Sequence, residues 1–152
     1  MRVQDSGDSD PYGLYTYLVE ELKAFELAYI HFIEPRVKGN TDREEVNDTI
    51  EPFTKLLKGT KTVVITAGGF IDHSGKTNDG PKTITDGAAD MVAYGRWALA
   101  NPDMLKRFKL QAPLNRYDRD TFYVPGPKGY TDYPFLEETE HGSKYYEIEA
   151  EV

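Results

Sequence analysis

Two short apolar runs in this chain, Thr62-Val63-Val64-Ile65-Thr66 and Asp90-Met91-Val92-Ala93-Tyr94, each lead into glycine. The first continues as Ala67-Gly68-Gly69 and the second as Gly95-Arg96. At the end of a parallel strand, glycine lets backbone N–H groups approach an anion with no side chain in the way. A helix starting just after Gly95 would aim its positive end at the same point. Arg96 adds a fixed charge able to grip two phosphate oxygens at once. Gly68, Gly69, Gly95 and Arg96 are therefore the candidates for holding a phosphate group. The plainer alternative stays open: glycines that make turns, and an arginine in a surface ion pair.

The other reactive side chains form no constellation. His31, His73 and His141 are far apart and share no metal-ligand spacing. His31 lies inside the apolar run Leu27–Ile33, where a satisfied core histidine is expected rather than a ligand. Ser9, Ser74 and Ser143 sit in polar stretches without a nucleophile-elbow context. The acidic pairs Glu20-Glu21, Glu44-Glu45 and Glu137-Glu138 read as solvated faces. With no cysteine there is neither a disulfide nor a thiol nucleophile. Arg36, in Glu34-Pro35-Arg36, would share the strand-end rim with Gly69 and Arg96. The tyrosines beyond Gln111 either line an aromatic pocket or pack a loop onto a core.

These residues need elements to position them. Asp10-Pro11 reads as a helix start, and Leu14, Leu18, Leu22 and Phe25 give one apolar face over residues 11–25. Leu27–Ile33 is apolar on nearly every position, as a strand buried on both faces would be. Thr41-Asp42-Arg43-Glu44 fits a capping box, followed by a helix marked by Val46, Ile50, Phe53 and Leu57, which Pro52 should kink or restart. The runs at 62–66 and 90–94 give two more strands, separated by a polar loop over 72–81 and a short helix over 82–87. Short helices follow from Trp97 and from Asn101-Pro102. Beyond Gln111 the chain is rich in Pro, Gly, Tyr and Asp and is expected to be extended loop, with the last dozen residues solvated. Alternating helices and strands predict a parallel sheet with right-handed crossovers. Three strands are fewer than the eight of a (β/α)8 barrel, so the chain reads as a piece of a barrel or a small open sheet.

Composition narrows the partners. The 152 residues suit one domain, and 39% are hydrophobic. The formal net charge is -8, without a Lys/Arg cluster, which argues against nucleic-acid and anionic-membrane surfaces. Met1-Arg2-Val3-Gln4-Asp5 is not a secretory start, and no apolar run approaches the ~20 residues of a membrane span. A soluble cytoplasmic protein is expected. Asn47-Asp48-Thr49 fits a glycosylation acceptor that, without a secretory signal, is a chance match.

Taken in order, several longer motifs resemble the Old Yellow Enzyme family of NADH:flavin oxidoreductases, in its 12-oxophytodienoate reductase-like branch. They are Leu27-Ala28-Tyr29-Ile30-His31, Glu34-Pro35-Arg36, Ala67-Gly68-Gly69-Phe70 and the run from Ala89-Asp90 through Tyr94-Gly95-Arg96 to Asn101-Pro102-Asp103. Ala112-Pro113-Leu114-Asn115-Arg116-Tyr117-Asp118-Arg119-Asp120-Thr121-Phe122-Tyr123 and Gly129-Tyr130-Thr131-Asp132-Tyr133-Pro134 complete them. The resemblance implies the C-terminal portion of a TIM (β/α)8 barrel over residues 1–136, followed by a polar tail over 137–152. It implies FMN as cofactor, NADPH as reductant, and hydride transfer to the β-carbon of an α,β-unsaturated carbonyl. Gly69, Gly95 and Arg96 match its FMN-phosphate positions, while Arg36 and Tyr123 match positions on the substrate side. For Arg36 a surface ion pair, and for Tyr123 loop packing, remain the alternatives.

The departures from the family also set expectations. The family chain is more than twice this length, and the resemblance implies that five strands are missing. With them go the groups that hold the substrate carbonyl and donate the proton, so no catalytic residue is assigned. The 72–81 loop is longer than the resemblance implies. Three readings follow: a truncated enone reductase, inactive alone; a non-catalytic half-barrel that binds FMN phosphate weakly or offers a partner surface, such as to another copy of itself; or a fragment whose open strand edges drive aggregation.

Overall fold

The computed structural model describes residues 8–38, 41–42, 48–72, 74–77 and 79–141. These divide into two compact units, one from Met1–Asp72 and Thr77–Ala93 and the other from His73–Lys76 and Tyr94–Val152.

The first unit opens with α1 (Pro11–Lys23), capped by the Asp10 side chain, which accepts from the Gly13 N–H at 3.0 Å. Its buried face is not the predicted one. Leu14, Leu18 and Phe25 are exposed, and Val19 is the buried residue of the helix. Tyr12 and Tyr15, at helical spacing from Val19, are 41% and 42% exposed but lie against a packing partner. The Phe53 ring takes Tyr12 and Tyr15 at 5.6 and 5.8 Å.

Strand β1 (Tyr29–Ile33) follows, then a two-stranded antiparallel ribbon of β2 (Val37–Lys38) and β3 (Thr41–Asp42). Thr41 and Asp42 are paired in this ribbon; the rest of the predicted capping box, Arg43 and Glu44, and Val46 lie outside the described residues. Helix α2 (Glu51–Leu56) begins where Pro52 can occupy the first turn, a position that needs no N–H donor. Then come β4 (Val63–Ala67), α3 (Gly80–Thr85) and β5 (Met91–Ala93).

The three strands β1, β4 and β5 form a parallel sheet in that order, pairing His31 with Ile65 and Ile65 with Met91. Asp90 fixes the entry to β5: its carboxylate accepts from the Val64 N–H at 2.8 Å, and its own N–H donates to the Val64 carbonyl at 2.9 Å. Ile30, Phe32 and Val64 pack with Val19, Ile50, Phe53, Leu57 and Ala89 into one apolar core. Only one face of β1 is covered in this way. Tyr29, His31 and Ile33 are exposed, so β1 is not buried on both faces and His31 is not a core histidine. The alternation is that of an edge strand with helices on one side.

In the second unit, α4 (Gly95–Ala100) and α5 (Met104–Leu110) precede an extended segment with 3-10 turns at Arg119–Thr121 and Leu136–Glu138. The predicted solvated end falls largely on residues 142–152, outside the described residues. Among the described residues, no helix is long and apolar enough to cross a membrane.

Candidate functional site

The strand ends of the first unit come together because the β1–β4 ladder runs one residue further: the Glu34 N–H donates to the Ala67 carbonyl at 2.7 Å. This brings Gly68 against Glu34, where an added Cβ would lie 3.3 Å from the Glu34 carbonyl oxygen. Gly68 and Gly69 have φ of +103° and +74°, a left-handed backbone that favours glycine. A Cβ on Gly69 would lie 2.9 Å from Arg36 Cβ and Cδ. Arg36 is therefore set beside Gly69, one of the two rim residues expected near it; the other, Arg96, belongs to the second unit. Its guanidinium is also committed within the unit: Nη1 lies 3.3 Å from Asp79 Oδ2, and Cζ lies 5.1 Å from the centre of the buried Phe70 ring. Burial pushes the Glu34 carboxyl up from its ordinary value, against the opposing pull of the Arg36 charge and a hydrogen bond with the Ile50 backbone.

Gly95, Arg96 and Tyr123 belong to the second unit. Gly95 differs from the other two glycines. Among the described residues nothing lies within 4 Å of where its Cβ would be, and its φ is outside the left-handed range. The packing of the described residues gives no reason for glycine there. Arg96, half-buried, places Cζ 5.1 Å from the centre of the Tyr117 ring. Tyr123 has a φ of +62°, uncommon for an aromatic residue, and its side chain is 89% exposed. Its N–H donates to Tyr130 Oη at 2.7 Å.

Sequence reasoning passed over a buried polar network in this unit. Arg107, 1% exposed, donates from Nε to Asp103 Oδ1 at 2.6 Å and from Nη1 and Nη2 to the Pro113 and Pro134 carbonyls at 2.8 and 2.9 Å. Asp103 Oδ2 accepts from the Leu136 N–H at 2.7 Å. Burial alone would raise the Asp103 carboxyl, but the Arg107 hydrogen bond, the Leu136 N–H and the Arg107 charge together hold it below its ordinary value. Asn101 and Asn115 join them: Asn115 N–H donates to Asn101 Oδ1 at 2.7 Å, and Asn115 Nδ2 to the Ala100 and Pro134 carbonyls. The available signal was the four-residue spacing of Asp103 and Arg107 on one helix face.

A cleft of about 350 Å³ in the first unit was also missed; it is lined by Tyr12, Tyr15, His31, Ile33, Asp48 and Phe53 among others, and none of the candidate glycines borders it. Of the histidines, His31 is exposed and His141 lies 3.5 Å from Glu140, while His73 is outside the described residues. No group of three His, Cys, Asp or Glu among the described residues is placed to hold a metal.

The family described as NADH:flavin oxidoreductase / NADH oxidase matches residues 4–115. The chain belongs to this family. Among curated relatives of this chain, 12-oxophytodienoate reductase 2 of Arabidopsis thaliana is 47% identical over 136 residues, 89% of this chain and 34% of the relative. Putative 12-oxophytodienoate reductase 4 of Oryza sativa subsp. japonica is 46% identical over 144 residues, 93% of this chain and 36% of the relative. Among solved structures, a morphinone reductase superposes with a TM-score of 0.69 at 36% identity, over 88% of this chain and 33% of its own. The old yellow enzyme from Trypanosoma cruzi gives 0.68 at 26% identity, over 84% of this chain and 31% of its own. The chain thus spans about a third of the length of the relatives it matches. Its three parallel strands and their helices are part of a (β/α)8 barrel of the Old Yellow Enzyme type.

Proposed function

We propose that this chain carries the FMN-phosphate residues of a cytoplasmic NADPH-dependent enone reductase, and that alone it is inactive. The barrel part spans residues 1–136 and the polar tail 137–152. Gly95 carries the reading. Its Cβ position is open among the described residues, and it suits the close approach of a phosphate to backbone. Gly68 and Gly69, in the first unit, hold a left-handed backbone beside Glu34 and Arg36, and Arg96, in the second unit, is half-buried and carries a guanidinium suited to charge-assisted hydrogen bonds. FMN, when bound, supplies the two-electron chemistry that accepts hydride from NADPH and delivers it to the β-carbon of an α,β-unsaturated carbonyl such as 12-oxophytodienoate.

In this reading Arg36 and Tyr123 contact the enone. Arg36 would do so while held by Asp79 and Phe70. The relatives' names support the substrate class, and a morphinone reductase structure in complex with tetrahydroNAD supports a nicotinamide reductant. The proposed inactivity concerns these residues by themselves: none of them is assigned to stabilise a developing enolate, usually a large catalytic term.

The deciding experiment is an absorbance spectrum after incubation with FMN and desalting. A retained flavin band that Arg96→Ala and Gly95→Val abolish is expected; no band in the parent chain would sink the FMN reading. Turnover of NADPH with cyclohexenone by the pure chain would overturn the claim of inactivity.

A further inference from the structure

We infer that Tyr117 is a positioning residue that fixes the Arg96 guanidinium for an anion, an inference that rests on the FMN-phosphate reading of Arg96. Tyr117 is a buried ring with four neighbours in its own unit. Trp97 stands edge-on to it, with centroids 5.0 Å apart at 82°, and Phe122 lies tilted at 5.8 Å. Arg119 places Cζ 5.4 Å from the ring centre and donates from Nη2 to Tyr117 Oη at 3.4 Å. Arg96 rests its guanidinium carbon 5.1 Å from the same centre.

The ring is therefore held by Trp97, Phe122 and Arg119, and Arg96 is held by the ring. An arginine side chain has many rotamers, and each must be given up when it grips an oxyanion. Contact with the negative face of an aromatic ring restricts those rotamers before the anion arrives. The phenol oxygen is engaged by Arg119, so the part of Tyr117 that serves Arg96 is its ring.

The test compares FMN with riboflavin, which lacks the phosphate, by quenching of flavin fluorescence. The parent chain should prefer FMN, and Tyr117→Phe should keep that preference because the ring remains. Tyr117→Leu should weaken FMN binding about tenfold, a typical loss for a cation–π contact, and leave riboflavin unchanged. A second measurement needs no flavin and no destabilising variant. The Arg96 Nε–Hε resonance, assigned through Arg96→Lys, should show an aromatic ring-current shift in the parent chain and in Tyr117→Phe. An unshifted resonance, or an unchanged FMN preference in a folded Tyr117→Leu, overturns the inference alone. A shifted resonance with no FMN preference in the parent chain overturns the phosphate reading and the anion role with it, while the Arg96–Tyr117 contact stands.

Discussion

The interiors of the two units differ in what they hold. The first has an apolar core, with Val19, Phe53, Leu57 and Val64 buried between two helices and one face of a parallel sheet. The second also buries apolar side chains such as Trp97, Met104 and Leu136, and adds hydrogen bonds to buried polar groups centred on Arg107, Asp103, Asn101 and Asn115. Apolar burial is non-directional and tolerates a shape change with a graded cost. A buried charge with directed partners is less forgiving, because removing one member leaves the others unpaired and desolvated. The part of the chain that contains Arg96 is therefore the less tolerant of substitution.

The largest expected effect tests that difference directly. Arg107→Ala should cost about 3–5 kcal/mol, the range for breaking a buried ion pair. The fluorescence of Trp97, the single tryptophan, reads the second unit during urea unfolding. A midpoint equal to the parent's would refute the polar account. Leu57→Ala in the apolar core should cost about 2–5 kcal/mol, followed by far-UV circular dichroism. Backbone constraint comes next. Gly69→Ala should cost about 1–2 kcal/mol, because an L-residue there must take a left-handed backbone. Gly95→Ala should stay within about 0.5 kcal/mol of the parent, and equal losses at the two glycines would remove the contrast drawn between them.

The smallest effects are in pH dependence, and they have opposite signs. Glu34 has its carboxyl raised above 4.5 in the fold, so its contribution is fully present below that value and is lost as pH rises through the raised pKa. Asp103 is lowered below 3.8, so its contribution is present above that value and is lost as pH falls. Urea midpoints of Glu34→Gln and Asp103→Asn, followed across the acid range, should deviate from the parent in opposite directions. Parallel deviations would show that one of the two environments has been misread.

Legibility followed the same division. The strands at 63–67 and 91–93, their glycine ends and the Pro52 helix start were readable because apolar runs and punctuating residues are local signals. The face of α1 was misread because two apolar stripes share the helix, and only Phe53, some forty residues on, selects between them. The burial of β1 was over-read because composition cannot tell an edge strand covered on one face from a central one. Of the candidate site, the pairing of Gly69 with Arg36 was foreseen from a shared rim, yet Asp79 as the partner of Arg36 was not. The polar network was invisible to periodicity, since Pro113, Pro134 and Leu136 enter it through backbone groups that any residue type carries.

Arg107 has one more consequence. Its two terminal nitrogens hold carbonyls at Pro113 and Pro134, on either side of the exposed stretch 124–128. A protease that cut this stretch would sever the covalent connection without freeing either end, because both pieces remain bound to the same cation. The nicked chain should elute as one particle from a sizing column and separate into two bands only after denaturation.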